Sequence, residues 1–152
     1  MKSPRVVVWA FDDWLAAQLR EAVGERRWVL QSVRTHAEWA TATATRGPCV
    51  AVVQVDPTAD SDKQLSAVVE LHWANPDADV VVVCDAKLND EDRPPWSAAV
   101  LDLGARLVLY PPLTRAVLED AVLGLTEHRA GTPPPAPAAE EIDLAAGNFE
   151  AE

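Results

Sequence analysis

The sequence predicts a three-layer α/β domain made of five successive strand–helix units, and two observations carry that prediction. Short apolar runs rich in β-branched residues recur at Val6 to Trp9, Val50 to Val53, Val80 to Val83 and Leu107 to Tyr110, with a weaker run at Trp28 to Val33. Runs without polar alternation mark strands covered on both faces of a parallel sheet. Between the runs lie segments with helical spacing, and parallel strands can be joined only through a covering crossover of this kind.

The helices follow in order. Trp14, Leu15, Leu19 and Val23 lie on one helical face behind Asp12 and Asp13, which read as the helix cap and a first-turn acid favoured by the macrodipole. A second helix is predicted near Ala37 to Thr45, and a third carries Leu65, Val68, Val69 and His72. The fourth is predicted over Ser97 to Leu103, behind a polar run from Lys87 to Pro95 that is longer than the usual connection of ~2 to 6 residues. The fifth is predicted over Leu113 to Leu125, with Thr114 as its cap. Five such units in about 125 residues fit a flavodoxin-like parallel sheet of strand order 2-1-3-4-5 better than the longer dinucleotide-binding sheet. The first strand is followed by Ala10-Phe11-Asp12-Asp13 and not by glycine turns that cradle a pyrophosphate, so a nucleotide-dependent enzyme is not expected.

With 152 residues and 49% hydrophobic content, the chain has enough material for one ordinary core. After Arg129 the composition changes to Gly-Thr-Pro-Pro-Pro-Ala-Pro-Ala-Ala and then to an acidic stretch, so residues 1–129 are read as the domain and 130–152 as a disordered linker and tail. The formal charge is -11, of which Glu140, Glu141, Asp143, Glu150 and Glu152 put five in the tail. A field of that sign repels phosphate backbones and anionic lipid, which argues against nucleic acid and membrane as partners. Cys49 and Cys84 stand beside valine runs with no Cys or His at zinc-ligand spacing, and are expected to be buried, reduced thiols. No apolar run approaches the ~20 residues of a bilayer span, and Met1 to Arg5 lead straight into a strand, so a cytoplasmic location is expected.

From Arg5 to about His128 the layout resembles a response-regulator receiver (CheY-like) domain. The features that carry the resemblance are Gly47-Pro48 before the third strand, Gly104-Ala105 before the fifth, and the Pro-Pro-Leu-Thr step from Pro111 to Thr114. A working receiver holds Mg²⁺ on two acids after the first strand and phosphorylates an aspartate ending the third. It also uses a Ser or Thr after the fourth strand and a Lys ending the fifth. Phosphoryl transfer requires that set, because a carboxylate must attack while cations neutralise the developing charge. Counted onto this chain, the acidic pair falls on Ala10 and Phe11, the acceptor on Gln54, the hydroxyl on Cys84 and the lysine on Pro111. Neither Ala10 nor Phe11 can ligate a hard cation, and Gln54 is a poor nucleophile that would leave no stable acyl phosphate. The resemblance therefore implies a pseudo-receiver with a vacated phosphorylation pocket, needing no cofactor or metal and not an enzyme.

Asp12, Asp13 and Asp56 lie close enough to the same strand ends that a shift of one or two residues would rebuild an acidic pocket with Asp56 as acceptor. Asp56 before Pro57 equally reads as turn chemistry. A further alternative is a neutral small molecule in a pocket lined by Phe11, Gln54, Cys84 and Trp9. Six tryptophans are many for this size; each is read mainly as packing. Trp96, at the end of the long Pro-Pro-containing loop, is instead a candidate contact residue. His36, His72 and His128 have no partner at catalytic spacing and are read as surface or helix-end residues. The resemblance implies protein partners, with a homodimer among them, on the face of the fourth helix, fifth strand and fifth helix, including Tyr110. The tail offers Ile142, Leu144 and Phe149 as a second docking element. The function expected is a phosphorylation-independent adaptor or scaffold of a bacterial signalling system.

Overall fold

A computed structural model describes residues 4–11, 13–44 and 47–129. The elements alternate without exception: β1 (Arg5–Trp9), α1 (Trp14–Glu25), β2 (Val29–Val33), α2 (His36–Thr43), β3 (Cys49–Val55), α3 (Asp62–Ala74), β4 (Ala78–Cys84), α4 (Arg93–Asp102), β5 (Leu107–Leu109) and α5 (Arg115–Arg129). All strand pairs are parallel and the sheet order is β2-β1-β3-β4-β5, as the sequence predicts.

The valine runs are explained by the two faces they fill. Along β3, Cys49, Ala51, Val53 and Val55 face a cluster with Trp39 of α2, Leu71 of α3 and Val100 of α4. Val50 and Val52 turn the other way, onto Leu15 and Leu19 of α1 and Leu118 and Val122 of α5. Every second side chain meets a different helix layer, so no position in the strand tolerates water. The edge strands are covered less: β2 is largely exposed, and the three residues of β5 are all half-buried.

Three elements differ from the sequence reading for identifiable reasons. β2 starts at Val29, because Trp28 belongs to the turn in which Arg27 has φ 61 and in which the Arg26 guanidinium lies 5.6 Å from the Trp28 ring centre. Asp13 stands at the α1 cap position without capping it; its carboxylate pairs with Arg34, which follows β2. The helix α4 begins at Arg93, four residues earlier than its apolar spacing suggests, because Pro94 and Pro95 occupy the first turn, where a missing N–H costs nothing. The caps of α2 and α5 are supplied by Thr35 and Thr114, whose hydroxyls accept from the backbone N–H of Glu38 and Val117.

Trp9 and Trp39 are buried, Trp28 and Trp96 half-buried, and Trp14 and Trp73 exposed. Cys49 and Cys84 are free and buried. Among the described residues no helix is long and apolar enough to cross a membrane.

Gly104 ends the turn after α4 at φ +119, and a Cβ placed there would sit 2.6 Å from Cβ of His72. Gly104→Ala therefore carries both backbone strain and a collision with α3, and is expected to cost about 1–3 kcal/mol of stability, measured by urea denaturation. An unchanged midpoint would mean that the turn is free to rearrange.

Candidate functional site

The carboxyl ends of β1, β3 and β4 are where an open parallel sheet offers a site, and β1 and β3 flank the point at which the strand order reverses. The register leaves β3 longer than β1: Trp9 pairs with Val53, while Gln54 and Val55 continue alongside Val83 and Cys84. Gln54 thus stands beyond the end of β1, on the same side as Val50 and Val52, and is only 6% exposed.

Both ends of its amide are bonded. The backbone N–H of Phe11 donates to Gln54 Oε1 at 2.7 Å, and Gln54 Nε2 donates to Asp85 Oδ1 at 2.6 Å. The orientation is forced, because a backbone N–H can only donate and so must face the carbonyl end of the amide. Asp85 is held in turn by its own N–H, which donates to the Val55 carbonyl at 2.6 Å. A neutral side chain with one donor end and one acceptor end fits between these groups, whereas a carboxylate there would face the Asp85 carboxylate.

The other positions lie around this bridge. Ala10 is buried against the α1 and α5 layer, and Phe11 is exposed. Cys84 is buried, its thiol is pushed up to about 11 by desolvation, and it receives the Trp96 indole N–H at 3.0 Å. Pro111 offers its carbonyl to Arg93 Nη2 at 3.2 Å. Arg93 also donates from Nε to the Leu88 carbonyl at 3.2 Å and lies 4.9 Å from the Tyr110 ring centre. Tyr110 donates to the Arg93 carbonyl at 3.0 Å and shares a hydrogen bond with Ser97.

Tyr110 and Trp96 therefore both fasten the first turn of α4 to the sheet. Trp96 does not end a loop, as the sequence reading had it, but sits inside that turn. A cation does reach the end of β5; it comes from α4 as Arg93, which the apolar spacing alone places before the helix. The Asp-Arg-Pro-Pro order at 92–95 was the available signal, since Pro in a first turn announces a helix start.

Of the three acids of the rescue reading, the two that are described each have a partner of their own. The Asp56 carboxylate accepts from the Thr58 N–H at 2.9 Å and the Thr58 hydroxyl at 2.6 Å, and those bonds hold it below the usual carboxylate range. Asp13 is committed to Arg34, and Asp12 lies outside the described residues. No group of three or more His, Cys, Asp and Glu among the described residues could hold a metal ion. Four cavities of about 300, 150, 270 and 250 Å³ open elsewhere, and Trp9, Phe11, Gln54 and Cys84 line none of them. Ile142, Leu144 and Phe149 also lie outside the described residues.

His36 opens α2, and its ring pairs with Glu70 of α3 at 2.9 Å and stacks on Trp9 at 5.9 Å between centres. The contact joins elements far apart in sequence, so no local spacing could have indicated it.

No protein-family model matches the chain, and no curated protein matches it in sequence. Solved structures do match. A CheY-like response regulator receiver domain protein from Methanospirillum hungatei superimposes with a TM-score of 0.67 at 12% identity, over 85% of this chain and 98% of that one. The fold is that of a CheY-like receiver. A response regulator from Thermotoga maritima matches the receiver fold as well, with a TM-score of 0.63 at 15% identity over 83% of this chain and 99% of that one. So does a Rhodopirellula baltica chain named adenylate cyclase, with a TM-score of 0.62 at 11% identity, over 97% of this chain and 100% of that one.

Gln54→Leu keeps the volume but leaves the Phe11 N–H unsatisfied and removes a donor from Asp85. It is expected to cost about 1–3 kcal/mol in urea denaturation. A neutral or stabilising result would show that the bridge contributes nothing.

Proposed function

We propose that the chain is a phosphorylation-independent protein-binding adaptor or scaffold of a bacterial signalling system, contacting its partner through α4, β5 and α5. The observation that carries this reading is Gln54. It stands where the receiver resemblance puts the phosphoacceptor, it cannot form a stable acyl phosphate, and both ends of its amide are already bonded.

The proposed face is supported by its composition and its fastening. Leu101 of α4 is 45% exposed, Val117 of α5 is 41% exposed, and the β5 edge between them is half-buried. Leu101 and Val117 are two of the six large apolar side chains left exposed among the described residues, and exposed apolar groups on a surface of this acidity favour a protein partner. Arg93, Ser97 and Tyr110 already tie α4 to β5, so this face is held in one arrangement without a phosphoryl group to set it.

Titration with Mg²⁺ and then beryllofluoride, followed by tryptophan fluorescence, is expected to give a flat response. A saturable change abolished by Asp56→Asn would overturn the reading in favour of a divergent phosphoacceptor. In parallel, Leu101→Asp with Val117→Asp is expected to keep the parent fold and lower partner capture by tenfold or more; undiminished capture would remove this face from the account.

A further inference from the structure

Strand β2 ends the sheet, and its outer edge carries none of the devices that usually close such an edge. Val29-Leu30-Gln31-Ser32-Val33 holds no charge, no proline and no glycine, and Val29, Gln31 and Ser32 are exposed. An edge of this kind is a template on which another extended chain can pair, and proteins normally blunt it with a lysine, a proline or a very short strand. The opposite edge follows that rule, since β5 is three residues long and Pro111 and Pro112 come soon after it. Two hydrogen bonds fix which groups the β2 edge offers. The Val29 N–H donates inward to the Pro4 carbonyl at 3.1 Å, whereas the Arg34 N–H is met by Glu38 Oε1 at 2.7 Å. Backbone groups alternate in direction along a strand, so Val29, Gln31 and Val33 serve β1, and Leu30 and Ser32 turn both N–H and C=O away from it. No other described strand lies on that side.

A hollow of about 300 Å³ lies between β2 and α2, lined by Gln31, Ser32, Val33, Ala37, Glu38 and Thr41. A strand added to β2 sends every second side chain to the α2 face of the sheet, and the Val33, Ala37 and Thr41 walls suit a small β-branched residue there. Glu38, the acid among the lining residues, is engaged by the Arg34 N–H. Charge defines the rest of the occupant. Residues 26–34 carry three arginines and no acid, in a chain of formal charge -11. Arg34 pairs with Asp13; Arg26 and Arg27 stand exposed just before β2, and Arg27 has no ion pair among the described residues. A second copy pairing β2 to β2 about a twofold axis would bring Arg26 and Arg27 of each chain toward Arg34 of the other, and like charges across a strand pair repel. An acidic segment meets the same arginines with attraction.

We propose that the open edge of β2 takes an extended acidic segment of a partner protein. The segment pairs antiparallel, the stronger of the two ladders, with a valine or threonine over the hollow and its acids near its carboxyl end, beside Arg26 and Arg27. Main-chain bonds to Leu30 and Ser32 supply affinity, while the hollow and the arginines supply selectivity. β2 and β5 are opposite edges of the sheet, so this contact leaves the face of α4, β5 and α5 open and stands whether or not that face binds.

The test is amide hydrogen exchange by NMR in the full chain, with a synthetic peptide of alternating threonine and valine that ends in a pair of glutamates as the probe. Without peptide, the Leu30 and Ser32 amides are expected to exchange with water much faster than those of Val29, Gln31 and Val33. Saturating peptide is expected to slow Leu30 and Ser32 by roughly tenfold or more, and the effect should be lost when the peptide is N-methylated on the residues whose N–H faces β2. Arg26→Gln with Arg27→Asn, asparagine being suited to the φ of 61 at that position, is expected to weaken binding about tenfold while Val29 stays protected. Unchanged exchange at Leu30 and Ser32, equal binding of the methylated peptide, or an affinity indifferent to the two arginines would each overturn the proposal. Protection of the same two amides that grows with chain concentration in the absence of peptide would overturn the acidic partner and assign the edge to a second copy.

Discussion

The end of the sheet depends on one side-chain amide. Gln54 sits where β1 stops two residues short of β3 and β4, between the Phe11 N–H beyond β1 and the Asp85 carboxylate beyond β4. Gln54 is the buried member, only 6% exposed, and a buried polar group left alone costs about 1–3 kcal/mol; the N–H of exposed Phe11 and the carboxylate of exposed Asp85 offer its amide one donor and one acceptor. Glutamine meets both and carries no charge. An acidic residue in its place would set two carboxylates against each other unless a cation lay between them, and no metal-holding group is formed by the described residues.

The same logic runs outward from the corner. Where β5 ends, Pro111 contributes a carbonyl, and Arg93 reaches it from the neighbouring helix while also bonding Leu88 and stacking on Tyr110. Tyr110 and Trp96 then secure the first turn of α4 to β5 and to Cys84. Three polar contacts on one turn leave that helix little freedom. The α4 part of the proposed partner surface, with exposed Leu101, is therefore held to the sheet by these contacts.

The fold was legible because it rests on periodicity. Valine runs buried on both sides demand helices on both faces, and five strand–helix units leave few right-handed arrangements. The positions of Ala10, Gln54, Cys84 and Pro111 came from counting along the chain. What those residues do could not be counted, because their partners are distant: Gln54 bonds a residue 43 positions back and another 31 ahead. Arg93 was missed when α4 was started too late, since its apolar face begins only after two prolines. Asp13 reads as a cap from its neighbours alone, yet Arg34 pairs with it from the end of the neighbouring strand. Local chemistry shows in sequence; a pairing across strands shows only once the register is known.

The most direct measurement is the hydrogen exchange of the Gln54 side-chain amide, followed by NMR together with its contact to the Phe11 amide proton. The bridge predicts two well-separated Nε2 proton signals that exchange with water far more slowly than those of exposed glutamines, and a cross-peak between the two amides. Degenerate, rapidly exchanging signals without that cross-peak would mean that the corner is open to solvent and that Gln54 does not close it.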